Sequence, residues 1–238
     1  MHKYINIAAL FCISFIVGCG GTTLPTNPIK EMKKEFETKE AYTITLHDMD
    51  MQDQQFVHKY KVFDIVGNNT VKTEVTDWKN VDDDFFLLHE DDLGMEIFSK
   101  RTDGKYNNLV TPPGFTHFVG NEKYGEWKDP FPSFETLPDS TKIWEFNNNF
   151  AFLENELGLT GLSVSYGEFH RFQSTYLMNR PYYGQHTHKD STKYGTRSHH
   201  WVYMRPLFYT RRIQRNNFDK PYHGSFSYDN RGGGGFGK

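Results

Sequence analysis

Cysteine is scarce: Cys12 and Cys19 are the two in 238 residues. Nothing after Cys19 can form a disulfide, serve as a thiol nucleophile or give a metal a thiolate ligand, which excludes a disulfide-stapled mini-domain. Long apolar runs are missing as well. Beyond the N-terminal segment, none approaches the ~18 residues that a spanning helix requires. Complete catalytic signatures are also absent. Gly232 to Lys238 carries the letters of a phosphate loop, but no Ser or Thr follows and no strand–loop–helix pattern surrounds it. Gly161-Leu162-Ser163-Val164-Ser165 misses the nucleophile elbow, because Ser165 stands where close packing needs glycine. No H-E-x-x-H helix or Cys/His finger spacing occurs. No motif implies a cofactor.

What the chain does have begins at its N-terminus. Lys3 precedes a mostly apolar stretch, Ile5 to Val17, and small Gly18 follows. This is the layout of a secretory signal, too short to span a membrane. Ile16-Val17-Gly18-Cys19 resembles the lipobox of bacterial lipoproteins. That resemblance implies cleavage before Cys19 and a diacylglyceryl group on its thiol, leaving residues 1–18 as signal peptide. Two or three acyl chains would anchor the protein stably, at ~0.8 kcal/mol per buried methylene. The implied address is the exported side of a membrane. Gly20 and Gly21 lack the Asp that retains lipoproteins at an inner membrane, so a two-membrane source favours the inner leaflet of the outer membrane. That address argues against nucleic-acid partners.

Charge is distributed unevenly. Residues 19–179 carry 15 Lys and Arg against 27 Asp and Glu, a net of −12, whereas residues 180–238 carry 11 against 3, a net of +8. Two units of opposite sign are implied. The basic one, from Pro181 onward, holds 12 aromatic residues but only Val202, Leu207 and Ile213 among branched aliphatics. Such a composition predicts a largely disordered tail. Its Gly-Phe-Gly ending is similar to the tails of some bacterial envelope lipoproteins.

Between tether and tail, the patterning predicts an α+β domain over residues 41–179, with residues 19–40 forming the tether and a short helix. Asn27-Pro28 reads as a cap and first helical residue, with Ile29, Met32 and Phe36 on one face. Alternation at Tyr42, Ile44 and Leu46, then Phe56, Tyr60 and Val62, then Val71, Thr73 and Val75 predicts an antiparallel β meander. Asp103-Gly104 predicts a hairpin turn between Met95–Arg101 and Lys105–Val110. The proline-rich 111–139 stretch reads as a loop pinned over the sheet by its rings. Two helices follow. The first carries the stripe Phe146, Phe150, Leu153 and Leu157, ended by Gly158. The second is started by a Ser165/Glu168 capping box with a Val164/Phe169 staple, and stopped by Arg180-Pro181. A further short helix is predicted over Pro206 to Arg215.

Candidate chemistry concentrates in the tail. Cations interleaved with rings suit anionic polymers without sequence readout. Arg211, Arg212 and Arg215, with Tyr203, Phe208 and Tyr209, are the candidate contacts. The expected partners are anionic lipid, lipopolysaccharide, wall polymer or an acidic protein; folding back on the chain's own acidic body is the alternative. His186 and His188 are weak metal candidates, as are His47 with Asp48 and Asp50, and His89 with Glu90, Asp91 and Asp92. The reading is a non-catalytic envelope lipoprotein with a structural or interaction role. The competing reading is an envelope enzyme or metal-binding protein with its site on the acidic body. Substitution Cys19→Ser is expected to move the protein from the membrane to the soluble fraction and to abolish incorporation of labelled palmitate; retention at the membrane would refute the anchor.

Overall fold

The computed structural model describes residues 27–67, 70–130, 138–185 and 191–205. The side chain of Asn27 accepts from Lys30 N and Pro28 opens helix α1 (Pro28–Glu35), as the sequence predicts. Strands β1 (Ala41–Gln52), β2 (Gln55–Val66) and β3 (Thr70–Val75) form the expected antiparallel meander, and β4 (Lys79–Asn80) pairs with the first half of β2. After α2 (Asp83–Leu88), β5 (Glu96–Lys100) joins the other side of β1. It turns through Gly104, at φ 78°, into β6 (Tyr106–Asn107). The main sheet therefore runs β3-β2-β1-β5-β6. A second, two-stranded sheet pairs β7 (Gly125–Lys128) with β8 (Ile143–Phe146), and α3 (Phe152–Glu156), α4 (Tyr166–Leu177) and α5 (His199–Met204) complete an α+β fold.

Strand β1 is central and covered on both faces. Tyr42, Ile44 and Leu46 share one face with Tyr60, Val62 and Phe98, which lie opposite or beside them in register. Helix α1 packs there, the ring of Phe36 meeting Tyr42 edge-on at 5.5 Å, and α2 stacks Phe86 on Phe56 at 4.2 Å. Period-2 alternation would send Thr43 and Thr45 to water. Both are buried instead, because the segment from Thr111 to Tyr124 together with α3 and α4 forms a third layer over that face. Phe118 meets Phe63 at 6.0 Å, and Lys61 pairs with Glu156 at 3.1 Å.

Two expectations need correction. The stripe from Phe146 to Leu157 is not one helix: Phe146 lies in β8, Phe150 in a 3₁₀ turn, and the α-helical part is Phe152–Glu156. Three consecutive asparagines, Asn147 to Asn149, disfavour a continuous helix, and Phe146 is held in register with Gly125. The stretch 111–139 is also not all loop, since it contributes β7. The Ser165 cap holds: its side chain accepts from Glu168 N at 3.2 Å. The reciprocal half of the box does not form, because the buried Glu168 carboxylate instead binds Lys193 Nζ.

That ion pair shows that the folded body continues past Arg180. Residues 181–185 and 191–205 pack on the acidic domain, with Tyr182 and Tyr194 buried. Thr196 Oγ1 accepts from Leu93 N at 3.1 Å and donates to Glu90 O at 2.7 Å. Arg197 reaches Asp91, and Arg205 pairs with Asp48. Lys193, Arg197 and Arg205 of the basic unit are thus matched to acids of the body. The predicted helix over Pro206 to Arg215 lies outside the described residues. Compared with a chain ending at Arg205, one ending at Arg180 loses two buried tyrosine rings and is expected to be destabilised by at least ~3 kcal/mol; equal urea midpoints for the two would show that this segment adds nothing to the core.

Candidate functional site

Strand β5 begins with an acid, and the register decides where it points. An irregularity between Ile44 and Thr45 places Phe98 opposite Ile44 but Glu96 opposite Thr45. Glu96 therefore lies on the threonine face, 1% exposed. A carboxyl group there needs partners, since an unpartnered buried charge costs several kcal/mol. One turn of chain supplies them. Backbone bonds link Glu96 and Thr111 in both directions, and the chain then reverses through Pro112-Pro113-Gly114. Thr111 Oγ1 lies 2.9 Å and Thr116 Oγ1 2.7 Å from Glu96 Oε2, while Gly114 N donates to Oε1 at 2.8 Å. Gly114 sits at φ 84°, where a Cβ would also meet the Leu157 side chain at 2.7 Å, so glycine is required.

The next residue extends the network. His117 Nε2 lies 3.1 Å from the Lys100 carbonyl, which can only accept, so Nε2 carries the proton. Nδ1 is then an acceptor, 3.0 Å from Thr43 Oγ1 and 2.8 Å from Thr116 Oγ1. Thr116 donates its hydroxyl proton to Glu96 Oε2, and the Thr43 hydroxyl can donate to His117 Nδ1. Burial favours the protonated acid, pushing Glu96 up to about 7 against the opposing pull of its hydrogen bonds to Thr116, Thr111 and Gly114. Burial also holds His117 down at about 4, so the ring stays neutral.

Above this floor opens a cavity of about 780 Å³ between the 115–124 segment and α4. Phe115, Phe169, Phe172 and Tyr176 form its walls, and Arg101 and Lys123 stand among its polar lining groups. Phe115 is the hub of the rings: Phe172 meets it at 5.2 Å, Tyr194 at 5.6 Å and Phe169 at 5.8 Å. Leu177, at the end of α4, lines the cavity and is 85% exposed.

The residues singled out from sequence fall elsewhere. Tyr203 lies on α5 with 78% of its surface exposed. Cys19, His186, His188, Phe208, Tyr209, Arg211, Arg212 and Arg215 lie outside the described residues. Asp48 pairs with Arg205 and Asp91 with Arg197. His89 Nδ1 lies 2.7 Å from Asp92 Oδ2, whose carboxylate also accepts from the Tyr183 hydroxyl. Among the described residues, no three His, Cys, Asp or Glu side chains converge to hold a metal ion, and no helix is long and apolar enough to cross a membrane. Sequence reasoning missed Glu96, Thr116 and His117; the available signal was an acid opening a strand whose next residues, Ile97 and Phe98, are apolar. Compared with protein-family models, with curated proteins and with solved structures, the chain matches none of them.

The two titrations act in opposite directions. Below about pH 4.5, Glu96 is protonated whether the chain is folded or not. From there to about pH 7 only the unfolded chain ionises at this position, so each step upward weakens the fold; above that the penalty is constant. For His117 stability is lost as pH falls below the ordinary 6.5 and towards 4, because the unfolded chain alone takes a proton. Gln at position 96 cannot ionise. The stability of Glu96→Gln relative to the native chain is therefore expected to rise across pH 4.5–7 and then level off, by up to about 3 kcal/mol. Urea midpoints at several pH values measure it, and a flat difference would refute the buried acid.

Proposed function

We propose that this chain is a lipid-anchored bacterial envelope protein that acts by binding rather than by catalysis, with the cavity beside α4 as its ligand site. Cys19 supplies the anchor, and in a cell with two membranes the favoured position is the inner leaflet of the outer membrane. Arg211, Arg212 and Arg215, with Tyr203, Phe208 and Tyr209, supply contacts to anionic envelope components or a partner protein, contacts that weaken as salt rises.

One observation carries the binding reading. The cavity has the volume and ring-rich lining of a small-molecule site, yet the acid and the base at its floor are already engaged. Both nitrogens of His117 have partners and the Glu96 carboxyl group has three. A general base needs a free nitrogen or oxygen within reach of the reacting proton. These groups fix the turn instead, and this favours a receptacle over an envelope enzyme.

The neutral dye N-phenylnaphthylamine, whose emission rises in apolar surroundings, tests the cavity. Gln173 is an exposed residue of α4 that lines it, so Gln173→Trp fills the space without disturbing the core. The native protein is expected to enhance dye emission and Gln173→Trp to lose at least ~10-fold in dye affinity. Equal binding by the two would refute the site.

A further inference from the structure

Residues 19–179 hold 27 Asp and Glu against 15 Lys and Arg, but among the described residues the cavity lining contains Arg101 and Lys123 and no acidic side chain. The Glu96 carboxyl group beneath it is sealed behind Thr111, Thr116 and the Gly114 amide. His117, also in the lining, offers no negative charge. In a body of net −12, a pocket whose charged groups are all cationic is complementary to an anion.

The two cations are only lightly engaged. Arg101 sits in the β5–β6 hairpin, and its Nε lies 3.6 Å from Asp103 Oδ1, a half-exposed contact that leaves the guanidinium's other donors available. Lys123 Nζ stands 5.4 Å from the centroid of the Tyr124 ring. The lining also has an exposed apolar residue: Leu177 lines the cavity at 85% exposure and is followed by Met178 at 65%. Exposed leucine next to a ring-lined concavity is surface that a bound apolar group would cover.

Resting on the proposed ligand site, we infer that the cavity takes an amphiphilic anion, a carboxylate or phosphate ester carrying an acyl chain, with its head between Arg101 and Lys123 and its chain along Phe115, Phe169, Phe172 and Leu177. Chain and head make separable contributions. The chain supplies area-dependent affinity common to all amphiphiles of its length, and the head supplies the discrimination, through charge-assisted hydrogen bonds to Arg101 and an ion pair with Lys123.

Calorimetric titration of the full protein with four ligands of equal chain length, each kept below its micelle concentration, separates these contributions: dodecanoate, dodecyl phosphate, neutral dodecyl maltoside and dodecyltrimethylammonium. The two anions are expected to bind at least ~10-fold more tightly than the neutral amphiphile, and the cation least. Whichever anion binds better identifies the head as carboxylate or phosphate. Arg101→Gln with Lys123→Gln, two exposed positions, should erase the preference by bringing the two anions down to the affinity of the neutral amphiphile. Gln173→Trp should weaken all four. Equal affinity for anionic, neutral and cationic heads would overturn the anion assignment while leaving the cavity as a ligand site. Absence of binding by all four, together with unchanged dye emission, would overturn both.

Discussion

A carboxyl group buried at the start of a strand governs the architecture around the cavity. Glu96 lies where water cannot reach it, so every partner must come from protein, and all of them come from the six residues Thr111 to Thr116. Satisfying one acid thus fixes a whole turn. With Thr111 bridged to β5 and Gly114 held by its amide, Phe115 is aimed at α4 and Phe118 at the sheet. The ring cluster that walls the cavity follows from that aim. An apolar residue at 96 would pack more cheaply, but it would give the turn no directional contacts.

The same constraint explains why polar groups are spent on structure. Thr43, Thr116 and His117 form a chain of hydrogen bonds between the sheet and the covering segment. A fully satisfied buried network specifies one arrangement, and a partly satisfied one is costly. Lys193 and Arg205 likewise reach buried or half-buried acids, Glu168 and Asp48. The electrostatic attraction between the basic unit and the acidic body is there converted into packing, because Tyr182 and Tyr194 enter the core beside the ion pairs.

Local features were legible in the sequence. The Asn27-Pro28 start, the Asp103-Gly104 turn, the Ser165 cap and the meander each depend on residues within a few positions of one another. What was hidden depends on distance. Thr43 and Thr45 alternate with apolar residues and read as solvent-facing; they are covered by a segment some 70 residues later. Glu96 reads as a strand-end acid until the irregularity opposite Thr45 turns it inward. The cavity joins Arg101, Phe115 and Tyr176, which no periodicity connects. The helix expected from Phe146 to Leu157 shows the converse failure, in which a good stripe was overridden by strand pairing to β7.

Helix α1 and the cavity come together in the β5–β6 hairpin. Lys33 of α1 stands 4.0 Å from the centroid of the Tyr106 ring in β6, while Arg101 at the end of β5 lines the cavity. The helix that would follow the lipid anchor therefore rests on the hairpin that carries one of the cavity's cations. Eight residue steps separate Cys19 from Asn27, a reach of roughly 28 Å at most. With Cys19 acylated as proposed, α1 could not leave the neighbourhood of the bilayer, and the hairpin beneath it would stay there too. Acyl-chain anions are concentrated at that surface and scarce in free solution. A cavity with cationic charges and an exposed leucine in its lining would suit that location, and the proposed anchor and the proposed ligand would then belong to one function.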